Sequence, residues 1–396
     1  MKIGVLYYVS STAAAKIANE QNYPWLETLS AKTGIPMEVT DLDHIEDYDL
    51  LFHFIGGGGT ESLFLEHVDQ YPQPIFLLTT GANNSLAASM EILSYLRSRN
   101  IPSEILHGSD AFVAERIETL TKVFQAKKRM RQMKFARVGK PSDWLIASEV
   151  DAKESYEKNG IAIIDVSMEE FLEEIAKNQY EENEYTKLIK QKEFAKEEIE
   201  KALCIYGALR RIVDRYELDG VTVRCFDLLD TVHSTGCAAL AILNAEGIYA
   251  SCEGDVPALI SMALLGELTG QTVFMANPSW IQVEENKIVF AHCTLPISMP
   301  KDFTIMTHFE SQIGVAFRGV IPEGRVTVFK TDGLMNRYFV SGADLLENLS
   351  EYNLCRTQIR LHLDESVSYF LTNSIGNHHL IVQGDYSKLL KEYFNW

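Results

Sequence analysis

The sequence has 396 residues, of which 46% are hydrophobic and 23% charged, a balance typical of a globular protein with about two or three domains. The formal net charge of −19 disfavours nucleic acid and anionic membrane surfaces as partners, because proteins bind both through basic patches. The sequence contains no run of about 18 apolar residues, so it predicts no membrane span. The six cysteines lack C-x-x-C spacing, which predicts reduced thiols and a cytoplasmic protein.

The first part of the chain alternates apparent strands and helices. Residues 3–9 predict a strand rather than a signal peptide, because the apolar run is short and β-branched and a helix-like segment, 14–34, follows. A long helix over 110–136 becomes basic toward its end, as suits a helix C-terminus. This alternation predicts an N-terminal α/β domain over residues 1–155, with a mostly parallel sheet.

The same alternation begins again in a second α/β domain, predicted over residues 156–270. Residues 168–217 are helical in pattern and heavily charged, which indicates a solvated face rather than a ligand site. A strand is predicted over 220–229, and a further strand and helix follow it. From 271–396 short β-rich runs alternate with turns, which predicts a C-terminal barrel or sandwich domain.

A Glu-Gly-Asp step lies between the last strand and the last helix of the second domain. Asp255 stands at the start of the helix, where a carboxylate accepts backbone N–H bonds as an N-cap. Glu253 is too early to cap the helix well. It follows the strand end, at the edge of an α/β sheet where ligands bind. We therefore expect a functional role for Glu253.

Three histidines are candidate metal ligands in the C-terminal domain. His292 ends an apolar strand, a place where a histidine is more often part of the core. His378 and His379 precede an apolar strand, and strand alternation sends them to opposite faces, so that only one is expected to enter a site. A carboxylate with one or two histidines suits a divalent cation such as Mn²⁺, with open positions for water or substrate.

A run of four glycines follows the strand that ends near residue 55. The segment 54–62, FIGGGGTES, matches neither the dinucleotide fingerprint nor a P-loop, so it favours a flexible turn or a sugar contact over a nucleotide site. Gly58 in this run and Asn84 at a later strand end are the candidate contacts to a sugar. The sequence contains no G-x-S-x-G motif for a nucleophilic serine.

Three segments of the chain together resemble the L-fucose/L-arabinose isomerase family of ketol isomerases. Within that family, the chain is most similar to a short, fucose-isomerase-like member. The three segments are ASCEGDVPALISMALLGELTG (250–270), FMANPSWIQVEENKIVFAHCTLP (274–296) and GNHHLIVQGD (376–385). The family order of Glu, acid, His and His-His runs through residues 220–385. The N-terminal half resembles the family more loosely.

The resemblance implies an α/β protein with two Rossmann-like α/β domains followed by a C-terminal β-barrel-like domain. It implies Mn²⁺ or another divalent cation and a reaction that interconverts an aldose and a ketose through a metal-stabilised enediol. It further implies a homo-oligomer, a trimer or hexamer, in which the first domain of one subunit covers a neighbour's site. The ligand candidates are Glu253, which is also the catalytic carboxylate, Asn277, His292, His378 and His379.

The chain departs from the family at one position of this set. Where the family has a second carboxylate, this sequence has Asn277, whose amide can offer an oxygen to a metal but cannot act as a base near neutral pH. The missing carboxylate is expected from one of four residues: Asp255, Asp227, Asp230 or Glu310. Asp227 precedes the Glu253 element by one β-α step, so its strand end should lie nearby.

The catalytic candidates are therefore Glu253, Asp255 and Asp227. The expected partner is a small-molecule sugar, with no nucleic acid and no membrane, and the substrate-binding candidates are Asn277, Trp280, Gly58 and Asn84. Two alternatives stay open because of Asn277. One is a sugar epimerase or an isomerase for an acidic sugar, and the other is a non-catalytic sugar-binding protein on the same scaffold.

Overall fold

Residues 1–9 and 25–396 are described by the computed structural model, and they divide into two units. The first unit is Met1–Lys127 with Glu392–Trp396, and the second is Lys128–Lys391. The part of the predicted helix 14–34 that precedes residue 25 lies outside the described residues. The three-domain division at residues 155 and 270 stays a prediction.

The first unit contains a parallel five-stranded sheet in the order β2-β1-β3-β4-β5. Its inner strands β3 and β4 are buried along their whole length, as apolar strands of a parallel sheet covered on both faces are. The order is that of flavodoxin-like doubly wound sheets. The strands are β1 (Ile3–Tyr8), β2 (Met37–Thr40), β3 (Leu50–Ile55), β4 (Ile75–Thr79) and β5 (Ser103–Leu106).

Helices and two 3₁₀ turns, Leu42–Asp47 and Val68–Gln70, connect these strands. The predicted helix 110–136 ends at Met130, because the next strand begins at Lys134. The helices are α1 (25–33), α2 (Glu61–Leu65), α3 (Ser85–Ser98) and α4 (Asp110–Met130).

The second unit opens with a parallel four-stranded sheet in the order β7-β6-β8-β9. This sheet includes β6, so it begins before the predicted boundary at residue 155. The strands are β6 (Lys134–Val138), β7 (Ala162–Val166), β8 (Gly220–Val223) and β9 (Tyr249–Cys252). Two parallel sheets are thus present, while the Rossmann-like character of the two α/β domains stays a prediction.

Seven helices accompany this sheet within the described residues. The charged stretch 168–217 is helical, as predicted, and forms three helices. The predicted strand 220–229 stops at Val223 because α9 begins at Asp227. The helices are α5 (Ala152–Asn159), α6 (Met168–Ala176), α7 (Glu184–Lys190), α8 (Lys196–Tyr216), α9 (Asp227–Thr231), α10 (Cys237–Ala245) and α11 (Val256–Thr269).

The C-terminal β-rich part of the second unit is a barrel and not a sandwich. Six antiparallel strands close in the order β10-β11-β16-β15-β14-β17 around a hydrophobic core, while β12 and β13 form a separate hairpin. The strands are β10 (Phe274–Gln282), β11 (Lys287–His292), β12 (Asp302–Met306), β13 (Ala316–Val320), β14 (Gly324–Thr331), β15 (Tyr338–Asn348), β16 (Thr357–Leu363) and β17 (His379–Gln383). A 3₁₀ turn (Val283–Glu285), α12 (Tyr369–Thr372) and α13 (Ser387–Asn395) complete the elements.

Helix α11 joins the parallel sheet to the barrel. It contacts β8 and β9 on one side and β14 and β17 on the other, and nearly all of its side chains are buried. This explains why its sequence is apolar all round rather than on one stripe. Because α11 follows β9 directly, the turn between them lies against the barrel. In the described part of the chain, no helix has the length and hydropathy needed to cross a bilayer.

Candidate functional site

The turn after β9 holds two consecutive residues in the left-handed region. Glu253 has φ +64° and Gly254 has φ +72°. A Cβ at Gly254 would lie 2.6 Å from the carbonyl oxygen of Lys140, so only glycine fits there. The backbone N–H of Ser142 donates to the carbonyl oxygen of Glu253 over 2.8 Å. A left-handed glutamate costs about 1 kcal/mol or more, and such strain often marks a functional turn.

Three side chains converge at this turn. One carboxylate oxygen of Glu253 and one ring nitrogen each of His292 and His378 lie within 4.8 Å of one another, and all three residues are buried. His378 Nε2 is 3.5 Å from Glu253 Oε1. Among residues 1–9 and 25–396, no group hydrogen-bonds to this buried nitrogen. One carboxylate and two imidazoles form a donor set for a divalent transition metal, and the unbonded His378 Nε2 fits such an ion.

The barrel order explains why distant histidines meet. Strand β10 pairs with β11 on one side and with β17 on the other, so it brings the end of β11 and the start of β17 together. Asn277 lies on β10, where it pairs with Ala291, the neighbour of His292. Its side-chain oxygen accepts a hydrogen bond from Asn377 Nδ2 over 3.0 Å. Asn277 therefore lies on the strand between the two histidine-bearing strands.

Asp255 lies behind His378, away from solvent. Its Oδ1 accepts the backbone N–H of Ala258 over 2.9 Å, which confirms the predicted N-cap of α11. Its Oδ2 accepts the Nδ1–H of His378 over 2.8 Å. The ammonium of Lys330, at the end of β14, is 3.9 Å from Oδ1. Because a carboxylate holds the Nδ1 proton, Nε2 of His378 is the nitrogen that a metal ion would bind, displacing any proton on it.

These contacts control the charges around the site. Burial alone would lower the pKa of His378, but its hydrogen bond to Asp255 and the nearby negative charge of Glu253 outweigh burial and raise the pKa to about 9. Burial would raise the pKa of Asp255, but Lys330 and His378 hold it below its usual range. Burial lowers the pKa of Lys330 against the opposing effect of Asp255. The pKa of Glu253 is likewise lowered, because His378 and Trp144 outweigh its burial.

The other two histidines differ from His378 in their partners. The nitrogen Nδ1 of His292 accepts the backbone N–H of Thr294 (3.2 Å) and lies 2.7 Å from its hydroxyl, so Nδ1 is engaged within the chain. His379 contacts the carbonyl of Asn377 through Nδ1 and the hydroxyl of Tyr369 through Nε2. Burial lowers the pKa of both to about 3. Of the two adjacent histidines, His378 belongs to the group of three and His379 does not.

Four other predicted site residues are not among the three grouped ligands, and each has contacts of its own. Asp227 accepts from Arg224 Nε over 3.0 Å. The ring of Trp280 lies 5.9 Å from the Arg360 guanidinium. Gly58 and Asn84 lie together in the first unit, where a Cβ on the glycine would be 3.2 Å from that of Asn84. Their roles in substrate binding stay predictions.

The structure adds an aromatic row to the site that the sequence analysis missed. Trp144 Nε1–H donates to Glu253 Oε2 over 2.6 Å. The Trp144 ring meets Phe226 edge-on at 4.8 Å, and Phe226 meets His308 at 5.5 Å. His308 Nε2 is paired with Glu310 Oε2 at 2.9 Å. Trp144 follows β6 in a polar segment, and the rule that ligands bind beyond strand ends is a signal that could have found it.

Comparison with known proteins finds relatives named sulfoquinovose isomerase. Those from Priestia aryabhattai and Priestia megaterium are each 23% identical over 328 residues, which cover 78% of this chain and 73% of theirs. One from a Clostridium species is 30% identical over 151 residues, covering 36% of this chain and 34% of its own. No protein-family model matches the chain. These relatives support a sugar isomerase, and they do not single out the L-fucose/L-arabinose isomerase family.

Proposed function

We propose that the chain is a metal-dependent aldose–ketose isomerase whose site is the group Glu253, His292 and His378. The observation that carries the proposal is the buried, unbonded Nε2 of His378 beside a carboxylate and a second imidazole. Hydrogen-bonding side chains would have satisfied this nitrogen in an ordinary core. The sulfoquinovose isomerases among the relatives support the reaction class.

The three residues would hold a divalent ion such as Mn²⁺. When bound, such an ion polarises the oxygens of a sugar and stabilises negative charge that develops on them. Isomerisation moves a proton from C2 of the aldose to C1 of the ketose and a proton from the C2 hydroxyl to the former carbonyl oxygen. The chain must therefore supply a group that accepts and returns the carbon-bound proton.

Glu253 is the proposed base for the carbon-bound proton. Its carboxylate is at the site, and the hydrogen bond from Trp144 fixes the position of Oε2. Asp255 is a weaker candidate, because both of its oxygens are engaged and it is only 1% exposed. Its proposed role is to position His378. The Glu310–His308 pair is the proposed carrier of the hydroxyl proton, since it stands in the same aromatic row.

The proposed substrate is a sulfonated aldose, with sulfoquinovose first, because that sugar is in the name of the relatives. L-Fucose and L-arabinose follow as substrates of the family that the sequence resembles. The same proposal includes a cytoplasmic homo-oligomer whose partner is a small-molecule sugar. Membership of the L-fucose/L-arabinose isomerase family is part of this proposal.

The test is to incubate the Mn²⁺-loaded protein with each sugar in deuterated water and to follow products by NMR. We expect a ketose that carries deuterium at C1, and no turnover in Glu253→Gln. A product that remains an aldose with deuterium at C2 would instead establish an epimerase. Metal binding without deuterium in any of the sugars would favour the sugar-binding alternative, and either result would overturn the proposal.

A further inference from the structure

An exposed indole stands beside the candidate metal ligands. Trp144 is 53% exposed, although burial of its large ring would favour folding. It lies in the turn that leads from β6 to α5, which includes the residues that pack against Gly254. Exposed large aromatic side chains next to a polar site are typical of ligand contacts.

The turn that carries Trp144 is held firmly. The Arg224 guanidinium donates to the carbonyl of Pro141 over 2.6 Å and to the carboxylate of Asp143 over 3.0 Å. The N–H of Ser142 donates to Glu253, and that of Leu145 donates back to the carbonyl of Ser142. Backbone and side-chain bonds on both sides of Trp144 thus fix where its ring stands.

The ring itself is oriented by two contacts. Its Nε1–H donates to Glu253 Oε2, so the polar edge of the indole faces the ligand group. Phe226 packs against it at an interplanar angle of 82°. About half of the side chain (53%) is exposed, while its polar edge is occupied. A surface of this kind offers apolar contact next to a polar site rather than a further hydrogen bond.

A sugar matches this combination. Its hydroxyl and carbonyl oxygens suit a metal and a carboxylate, while its C–H groups form apolar patches that pack on aromatic rings. We propose that Trp144, supported by Phe226, is the platform on which the C–H face of the substrate sugar lies while its oxygens reach the group Glu253, His292 and His378. This inference rests on the proposed function and names a binding residue for it.

The test uses the metal-loaded protein and two probes, the alditols of sulfoquinovose and of L-fucose, which lack the carbonyl and therefore bind without reacting. Binding is measured by calorimetry and by tryptophan fluorescence. We expect the alditol to change the fluorescence of the wild type and not that of Trp144→Phe. The dissociation constant should rise about 10-fold or more in Trp144→Ala and less in Trp144→Phe, which keeps an aromatic ring.

Ile146→Ala is the matched control, because Ile146 is 93% exposed on the same turn and its loss removes a comparable apolar side chain. It should keep the wild-type dissociation constant. With the reacting sugar, both variants should lower kcat, because both remove the donor to Glu253, whereas only Trp144→Ala, which also removes the ring, should strongly raise KM. A purely structural role for Trp144 would not separate the two parameters in this way.

The outcomes separate the two proposals. If an alditol binds the wild type and Trp144→Ala with equal affinity, and the fluorescence of the two proteins responds alike, the platform role of Trp144 is wrong. The isomerase proposal would still stand. If the metal-loaded wild type binds neither alditol and turns over no sugar, both are wrong. Metal content measured on every variant shows whether a loss of binding arises at the metal ligands instead.

Discussion

Two buried carboxylates of the second unit, Glu174 and Asp255, have similar electrostatic surroundings but different roles. Glu174 lies on α6 and is held by Lys177, Arg211 and Arg215, which bind its two oxygens from the surface of α6 and α8. Asp255 is held by His378 and Lys330, and both are themselves buried. Both carboxylates have a lowered pKa.

The two carboxylates differ in the surroundings of their partners. The cations around Glu174 reach solvent, so that network ends at the surface and fastens two helices. His378 has a second nitrogen that no described residue hydrogen-bonds, and it faces Glu253. A perturbed carboxylate therefore does not identify a site by itself. A partner that keeps one ligand atom without a hydrogen bond, as His378 does, is the feature that indicates a site. This contrast leads to four predictions.

The largest effect is expected from Asp255→Asn. It leaves the buried Lys330 without its counter-charge, which should cost about 3–5 kcal/mol of unfolding free energy, measured by urea denaturation of the metal-free protein. It also replaces the carboxylate that orients His378 with a neutral amide, which holds the Nδ1 proton more weakly, so the affinity for Mn²⁺ should fall about 10–100-fold.

The double variant Asp255→Asn/Lys330→Met separates these two effects. It removes both charges, so much of the stability should return while the affinity for Mn²⁺ stays low. Recovery of metal affinity together with stability would contradict the positioning role, because it would show that Asp255 acts only through the fold.

The adjacent histidines offer the next test. His378→Ala removes a proposed ligand and should weaken Mn²⁺ binding by at least about 100-fold, beyond the usual effect of losing an orienting group. His379→Ala removes a buried ring that contacts Tyr369, so it should lower stability by about 1–3 kcal/mol and leave Mn²⁺ binding unchanged. Equal losses of metal affinity in both variants would refute the assignment.

Glu174→Gln tests the other side of the comparison. The substitution leaves Arg211 and Arg215 with weaker partners, but both are partly exposed, so solvent limits the loss to about 1–3 kcal/mol. The affinity for Mn²⁺ should equal that of the wild type. A change in metal affinity would mean that the helical network and the site are coupled.

The smallest effect is a dependence of stability on pH. Burial would raise the pKa of Glu174, but hydrogen bonds from Lys177, Arg211 and Arg215 outweigh it and lower the pKa to about 2. Since this folded value is below the ordinary one, the carboxylate stabilises the fold above about pH 4.5 and loses this contribution as pH falls toward 2. The stability difference between wild type and Glu174→Gln should shrink over that interval, as measured by thermal unfolding at each pH.

The sequence predicted the parts of the site that depend on local patterns. The N-cap at Asp255 follows from a carboxylate before an apolar helix, and the separation of His378 from His379 follows from strand alternation. The closed barrel followed from the short β-rich runs, although the runs did not exclude a sandwich. Each of these inferences uses neighbours within a few residues.

The missed residues depend on contacts between distant parts of the chain. Trp144 and Glu253 are 109 residues apart, and no spacing rule links them. Lys330 sits in an alternating strand, where a lysine normally indicates a solvent-facing position, yet it is 1% exposed because α11 brings Asp255 to it. Likewise, the strand predicted over 220–229 failed after Val223, because β8 is short and the chain turns into α9.

The most direct test of the account is the metal content of the protein purified without chelators and then equilibrated with Mn²⁺, for wild type and Glu253→Gln, by elemental analysis. The account predicts about one ion per chain in the wild type and a clear loss in Glu253→Gln, with His379→Ala matching the wild type. No bound ion in the wild type, or an equal content in Glu253→Gln, would contradict the claim that Glu253, His292 and His378 form a metal centre.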